Sequence, residues 1–231
     1  MNLPDPLIQV SADPYPWPLE DLRAEQMALI VIDMQRDFCD PGGYVAGLGA
    51  DITALRAPID PIARCLAAAR AAGLVVIHTR QGYRPDLSDL PLWRRLKFDR
   101  SGSAVGKPGP LGRVLIRGEA GFATIEELAV LPGEPVIDKT ANGAFTGTDL
   151  DVVLRAKNVR AIAFAGNTID VCVHTSMREA NDRGYQCLLL SDCCGAIEPG
   201  LHAWALRSVQ VEAGVFGSVG TSQDFVSALS A

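Results

Sequence analysis

The chain has 231 residues, a length that fits one large domain. Hydrophobic residues make up 48% of it and charged residues 21%, a balance that supports a sizeable core and excludes a largely disordered chain. The formal net charge is −6 and the basic residues are scattered, so the sequence lacks the basic patch of a protein that binds nucleic acid or an anionic membrane. These features favour a small-molecule partner.

The first 25 residues predict an N-terminal extension, followed by one domain over residues 26–231. The extension has no basic segment followed by an apolar core, and no apolar run in the chain approaches 18 residues. We therefore predict a cytoplasmic protein. The stretch DPYPWPLEDL, residues 13–22, looks exposed and is a candidate interface.

Short apolar runs then alternate with longer helix-like segments, which is typical of βαβ units in a parallel sheet that is buried on both faces. The predicted strands are ALIVID (28–33), LVVIHT (74–79), PVID (135–138), AIAFAG (161–166), CLLLSD (187–192) and, at the edge, GVFGSV (214–219). The sequence therefore predicts an α/β fold: a single-domain, doubly wound, Rossmann-like sheet of six parallel strands with helices on both faces.

Four segments between these runs predict helices that end near a glycine or asparagine. They are PIDPIARCLAAARAAG, TDLDVVLRAKN, HTSMREANDRG and LHAWALRSVQVEAG. Residues 81–131 lack a clear alternation and are rich in Pro, Gly and Arg, so they predict a long excursion beside the active face. Loops of this size tend to carry specificity.

Candidate catalytic residues lie at the carboxyl ends of the predicted strands, where open parallel sheets bind ligands. Cys172 begins a predicted helix, and the positive end of a helix dipole lowers the pKa of a thiol. Asp33 is placed to accept the thiol proton, and Lys139 to hold Asp33 ionised and stabilise the thiolate. A strand-ending Asp, Lys or Cys is more often structural than catalytic, so position alone only suggests a triad.

Three separated motifs make the suggestion specific: ALIVIDMQRDFC, VIDK and GNTIDVCVHTSMREANDRGY. Together they resemble the isochorismatase-like cysteine hydrolases, in the expected order and over residues 26 to 220. The resemblance implies a catalytic triad of Asp33, Lys139 and Cys172.

The same resemblance implies a cis peptide bond between Asn167 and Thr168. It also implies an oxyanion hole formed by the backbone N–H groups of Thr168 and Cys172, which would stabilise the developing negative charge on a substrate oxygen. The implied chemistry is attack of the thiol on a carbonyl, loss of ammonia and hydrolysis of an acyl thioester. That sequence of steps needs no cofactor.

Within the family, the segments DPYPWP, HTRQGYRPDLSDLP, GEPVIDK and MREANDRGYQCLLLSDCCGA most resemble biuret hydrolase and its relatives that act on ureido compounds. The predicted function is hydrolysis of a C–N bond of biuret or triuret. Ureidoacrylate, N-carbamoylsarcosine and nicotinamide are alternative substrates, and a non-catalytic binding or redox module is the alternative outside enzymology. The family commonly forms homo-oligomers, so a homotetramer is expected.

Five residues are predicted to bind substrate. Phe38 and Tyr44 follow the first strand and are candidates for a pocket wall, although aromatic residues commonly serve in packing. Arg80 offers a fork of donors to substrate carbonyls. Asn167 departs from the usual family pattern and is expected to reshape the pocket. Glu212 stands where a glutamine is expected and suits a ureido nitrogen, although a solvent-facing glutamate is an equal alternative.

The remaining ligand-type residues give no metal signal. The chain has three histidines, and no D-x-H pattern follows Asp51, so a metal site is disfavoured. The six cysteines are expected to be reduced thiols, because the chain is long and lacks an export signal. Cys193 and Cys194 are adjacent rather than spaced as zinc ligands, and packing roles are expected for them.

Overall fold

Residues 8–103 and 105–230 are described by a computed structural model of the chain. The strands are β1 Met27–Ile32, β2 Val75–Gln81, β3 Pro108–Gly109, β4 Gly112–Arg113, β5 Val136–Lys139, β6 Ala161–Asn167, β7 Gln186–Gly195 and β8 Ser218–Gly220. The α-helices are α1 Arg36–Cys39, α2 Tyr44–Gly47, α3 Thr53–Arg56, α4 Ile59–Ala72, α5 Leu92–Arg100, α6 Leu150–Ala156, α7 His174–Asp182, α8 Pro199–Gly214 and α9 Ser222–Leu229.

Six of the strands form one parallel sheet in the order β5-β2-β1-β6-β7-β8. The strands β3 and β4 form a separate antiparallel ribbon. This order is that of a doubly wound fold, whose strand order reverses between β1 and β6 and opens a crevice at their carboxyl ends. The predicted fold class is confirmed.

The central strand β1 shows why the sheet is buried on both faces. All six of its residues are buried, and successive side chains point to opposite faces. Leu29 and Val31 pack in a core with α4 and α9, whereas Ala28, Ile30 and Ile32 pack in a second core with α6, α7 and α8. Each such aliphatic side chain stabilises the fold by roughly 1.5–3 kcal/mol.

The N-terminal segment is packed against the far edge of the sheet. Val10 pairs with Trp17, and Asp13 pairs with Val219 in β8. The Trp17 ring is fully buried, lies 6.4 Å from the ring of Phe225, and donates its indole N–H to a backbone carbonyl at the start of β7. The expectation that residues 13–22 form an exposed interface is therefore wrong for their central aromatic residue.

The excursion after β2 is partly regular. It contains α5, the β3–β4 ribbon and two short 3₁₀ turns. The edge strand β8 begins at Ser218 rather than at Gly214, because α8 continues to Gly214. In the two stretches that the structure describes, no helix has the length and apolar character needed to cross a membrane.

Candidate active site

Three strand ends bring Asp33, Lys139 and Cys172 together at the carboxyl edge of the sheet. Asp33 follows β1, Lys139 is the last residue of β5, and Cys172 lies in the turn after β6. Although β2 separates β5 from β1, the Lys139 Nζ reaches across it to lie 2.7 Å from the Asp33 Oδ2. Both side chains lie close enough to the Cys172 thiol to influence its pKa.

The ion pair between Asp33 and Lys139 is completely buried. Lys139 also donates to the Gln81 Oε1 at 2.9 Å and to the carbonyls of Ala141 and Asn142 at 3.1 and 3.0 Å. Burial alone would lower the pKa of Lys139, but its interactions with Asp33 and Cys172 outweigh burial and raise it. The side chain therefore stays an ammonium ion, as a buried charge with a full set of acceptors can.

The position of the Asp33 carboxylate is fixed by its own backbone and by Thr79. Asp33 has a left-handed φ of 50°, a conformation that aspartate tolerates better than most residues. The Thr79 hydroxyl accepts from the Asp33 N–H at 3.1 Å and donates to its Oδ1 at 2.6 Å. One hydroxyl thus holds both the backbone and the carboxylate of Asp33, a role that was not predicted from the sequence.

The Cys172 thiol does not have the lowered pKa that the sequence predicts. Burial raises its pKa to about 12; the Lys139 charge opposes this rise, and the Asp33 carboxylate adds to it. The helix-dipole prediction fails here because burial of the thiol outweighs the partial positive charge at the start of a helix. The resting group is therefore a neutral thiol beside the Asp33 carboxylate.

The turn that carries Cys172 begins earlier than predicted. A π-helical turn covers Ile169–Val173, and α7 follows it directly. The bond between Asn167 and Thr168 is cis, as predicted. The N–H groups of Val171 and Val173 donate to the Thr168 carbonyl at 3.2 and 3.1 Å. Within the described residues the Thr168 N–H itself has no acceptor. Its role in an oxyanion hole stays a prediction.

A serine couples this turn to the loop that follows Lys139. The Ser176 hydroxyl donates to the Cys172 carbonyl at 2.6 Å and accepts from the Ala144 N–H at 3.0 Å. The Glu179 carboxylate accepts from the Phe145 N–H at 3.0 Å in the same loop. Ser176 is four residues after Cys172, the spacing that places two helical residues on one face, and this signal was available in the sequence.

A pair of glutamines supports the ammonium side of the site. The Gln35 Oε1 accepts from the Gln81 N–H at 2.6 Å, and the Gln35 Nε2 donates to the carbonyls of Gln81 and Phe122, both at 3.1 Å. Since Gln81 in turn accepts from Lys139, the two amides fix the position of the ammonium. Neither glutamine was predicted from the sequence to take part in the site.

Two of the predicted substrate-binding residues are occupied by packing. Phe38 is a core residue whose ring lies 6.0 Å from that of Tyr44 in an edge-on arrangement. Asn167 is wholly buried, and its Nδ2 donates to the Leu55 carbonyl at 2.9 Å and contacts the Cys39 Sγ at 3.5 Å. The Asn167 side chain thus ties β6 to α3 instead of forming a pocket, which corrects the prediction. Tyr44 is half-buried beside Phe38.

Arg80 and Glu212 are not brought to the triad. Arg80 points to the opposite face of β2 from its neighbours Thr79 and Gln81, pairs with Asp138 at 2.8 Å, and lies over the Phe122 ring. Glu212 is exposed and has a left-handed φ of 53°, where the helical geometry of α8 breaks near its end. That helix ends at the amino edge of the sheet, beside Pro14 and Tyr15, so the fold places Glu212 at the wrong end for this site.

Other ligand-type residues serve packing. Cys193 and Cys194 lie in β7 and are buried, as predicted. In residues 8–103 and 105–230, no group of three or more His, Cys, Asp or Glu side chains is arranged to hold a metal ion.

Comparison with known proteins decides the family. The model of the isochorismatase domain matches residues 27–224, a span that contains Asp33, Lys139 and Cys172. The chain belongs to the isochorismatase family. A solved structure of a cysteine hydrolase from Pseudomonas syringae pv. phaseolicola is similar over nearly the whole chain: it is 29% identical, with a TM-score of 0.77 and 99% of both chains covered.

The chain is also similar to proteins whose activities are named. Ureidoacrylate amidohydrolase RutB of Methylorubrum extorquens is 34% identical over 213 residues, which is 90% of this chain and 84% of the relative. The protein of the same name from Azorhizobium caulinodans is 33% identical over 219 residues, covering 91% of this chain and 92% of the relative. An N-carbamoylsarcosine amidase from Thermoplasma acidophilum shares the fold, with a TM-score of 0.65 at 24% identity.

Proposed function

We propose that the protein is a cysteine amidohydrolase that cleaves a C–N bond of ureidoacrylate. The observation that carries this proposal is the buried contact of the Cys172 thiol with the Asp33 carboxylate and the Lys139 ammonium. The substrate follows from the curated relatives, which are named ureidoacrylate amidohydrolases. Biuret or triuret, the substrates predicted first, have no support from these names, and Glu212, which favoured them, lies away from the site.

The first step uses the resting protonation state. Cys172 is a neutral thiol against an aspartate, so Asp33 takes the thiol proton as the sulfur attacks the ureido carbonyl carbon. Lys139 stays charged throughout and stabilises the thiolate as it forms. A thiol with a high resting pKa reacts in this way because proton transfer and attack are coupled, so that no free thiolate accumulates.

The later steps return the proton. The carbonyl oxygen becomes an oxyanion, and the N–H groups of Thr168 and Cys172 are the donors that we assign to it. The tetrahedral adduct collapses and expels ammonia, which receives its proton from Asp33. Water then gives a proton to Asp33 and its hydroxide to the acyl thioester, which regenerates the thiol. Every bond and proton in this cycle comes from the substrate, water, Asp33 or Cys172.

The test is ammonia release from a panel of ureidoacrylate, biuret, triuret, N-carbamoylsarcosine and nicotinamide. We expect the highest kcat/KM for ureidoacrylate, and none of this activity in the Cys172→Ala variant. A higher kcat/KM for biuret or triuret would move the substrate assignment. Full activity of the Cys172→Ala variant would overturn the triad itself.

The assembly of the enzyme stays a prediction. The homotetramer expected from the family resemblance would be checked by light scattering coupled to size-exclusion chromatography. A homo-oligomer of another size would leave the chemistry above unchanged, since all of its groups come from one chain.

A further inference from the structure

The helix α5 lies over the loop that follows Lys139 and is held there by two side chains. None of its residues is buried, and Arg94 and Phe98, one turn apart, are its two half-buried positions. Phe98 packs edge-on against Tyr83 at 6.2 Å, and the Arg94 Nη1 donates to the Thr140 carbonyl at 2.5 Å. The inward face of α5 therefore presents a guanidinium to the active-site loop.

Arg94 is connected to the triad through one side chain. The Thr140 carbonyl that accepts from Arg94 also accepts from the Gln81 Nε2 at 3.3 Å, and the Gln81 Oε1 accepts from Lys139 at 2.9 Å. The buried Tyr83 phenol lies near both Arg94 and Lys139, and their positive charges act to lower its pKa against the rise that burial causes. Arg94 is thus part of the same cluster at the carboxyl edge of the sheet.

The charges in this cluster are not balanced. Asp33 and Lys139 neutralise each other, and Cys172 rests as a thiol. Arg94 has no carboxylate partner within the described residues: its contacts are the Thr140 carbonyl, Tyr83 and the ring of Trp93. Two other half-buried arginines near this cluster are paired, Arg80 with Asp138 and Arg117 with Asp89, whereas Arg113 donates to the carbonyls of Gly106 and Pro85 in the excursion.

An unpaired guanidinium beside a neutral triad fits an acidic substrate. A carboxylate that leaves water without a counter-ion is strongly disfavoured, and the triad offers none that is free. The guanidinium supplies the planar fork of donors that a carboxylate prefers. The Thr140 carbonyl engages one Nη1 hydrogen of Arg94 and leaves further donors for a ligand.

We propose that Arg94 binds the carboxylate of the substrate and thereby selects an acidic ureido compound over a neutral one. This inference rests on the proposed function for the identity of the site and deepens it by naming the group that reads the substrate. It explains how one triad can act on ureidoacrylate in preference to biuret, which carries no carboxylate.

Binding tests the inference independently of turnover. In the Cys172→Ala background, isothermal titration would measure the Kd of 3-ureidopropionate, an acidic and stable analogue, and of propylurea, a neutral one. We expect Arg94→Gln to weaken 3-ureidopropionate by about tenfold or more and propylurea by less than about twofold. Arg94→Lys keeps the charge and should recover part of the loss.

Arg95→Gln is the matched control. Arg95 is the next residue of α5, is exposed, and has no carboxylate partner within the described residues, so this change removes the same charge from the same helix. It should leave both Kd values within about twofold of their starting values. Circular dichroism would check that α5 and the fold survive each change.

The outcomes separate this inference from the proposed function. If the wild-type enzyme releases ammonia from ureidoacrylate but Arg94→Gln weakens both ligands equally, or neither, the inference fails and the function stands. If the selective loss of 3-ureidopropionate is seen while ureidoacrylate is not hydrolysed, the carboxylate site stands and the proposed substrate is wrong.

Discussion

The turn after β6 and the strand β7 both hold buried cysteines, yet only the first has the surroundings of a nucleophile. Cys172, Cys187 and Cys194 are 8%, 2% and 5% exposed, and burial raises the pKa of each thiol. Cys187 contacts the backbone carbonyls of Met177 and Tyr185. Of the three, Cys172 is the one that contacts both a carboxylate and an ammonium.

The comparison separates two properties that are often treated as one. A low resting pKa and a reactive position are distinct, because burial sets the first and neighbouring acid–base groups set the second. Cys172 resembles its structural counterparts in the resting state and differs from them in having a route for its proton. Four substitutions, each paired with a control substitution elsewhere in the chain, would break or sharpen this contrast.

Cys172→Ala against Cys187→Ala is expected to give the largest effect. Loss of the nucleophile should reduce ammonia release by about 10⁴-fold or more, because removal of a covalent catalyst leaves only binding effects. Loss of the Cys187 sulfur should cost about 1 kcal/mol of stability through a small cavity and leave kcat/KM within about twofold. Steady-state kinetics and urea unfolding measure both. An inactive but folded Cys187→Ala variant would contradict the contrast.

Asp33→Asn tests the proton route. Asparagine tolerates the left-handed backbone at this position, so the fold should persist while kcat falls by about 10² to 10⁴-fold. Because the Asp33 carboxylate raises the pKa of Cys172, its removal should lower that pKa, which ultraviolet thiolate absorbance would follow against the Cys172→Ala variant.

The control for this change lies in the same turn. Asp170 is partly exposed two residues before Cys172, and Asp170→Asn should change kcat by less than about threefold. If Asp170→Asn were as damaging as Asp33→Asn, general electrostatics rather than a specific base would account for the loss.

Lys139→Met tests the cation through stability and its pH dependence. It leaves the Asp33 carboxylate buried without a counter-ion and should cost about 3–5 kcal/mol at neutral pH. The folded pKa of Lys139 is raised, so its contribution is fully present below the unfolded pKa and is lost as the pH rises through the folded one. Below pH 10.5 the wild-type protein should therefore have a larger free energy of unfolding than the variant. Above that pH the difference should shrink, because Lys139 loses its proton.

Urea unfolding across this alkaline range measures both curves, with the exposed Lys157→Met as the control that should stay within about 0.5 kcal/mol of wild type. Parallel curves for Lys139→Met and wild type would mean that Lys139 is not the group whose proton is lost.

Ser176→Ala should give the smallest effect of the four. It removes the bridge between the Cys172 carbonyl and the Ala144 N–H, at a cost of about 1–2 kcal/mol, and should lower kcat by about tenfold without changing KM. Thr175→Ala is the matched control, since that neighbouring hydroxyl makes no hydrogen bond within the described residues. A change confined to stability would reduce Ser176 to a purely structural residue.

Much of the fold could be read from the sequence because the strands are apolar on both faces. A short, continuous apolar run such as 28–32 is typical of a strand inside a parallel sheet, and the glycines at residues 73 and 184 lie where helices that cover the sheet end. The triad was readable because its residues end three such runs and match three motifs of one family.

The failures share a physical cause. The pKa of Cys172, the buried amide of Asn167 and the remote position of Glu212 depend on which surfaces meet after folding, and sequence spacing does not encode that. Thr79 and Gln81 were within reach, because polar residues that alternate at the end of an apolar strand point to one face of a sheet edge. The proposed role of Arg94 could not be predicted from the sequence, because it depends on how residues 81–131 fold over the site. Those residues have no periodic pattern from which that path could be derived.

The pairing of Asp13 with Val219 has a consequence for any shorter version of the protein. The outer strand of a sheet has free N–H and C=O groups that recruit strands from other molecules. Here residues 8–22 cover that side of β8 and seat Trp17 on Phe225. A fragment that began at residue 27, where the family match begins, would lose this cover and expose a template for aggregation. The stretch of chain needed to cover this edge of the sheet is thus longer than the stretch that the family match spans.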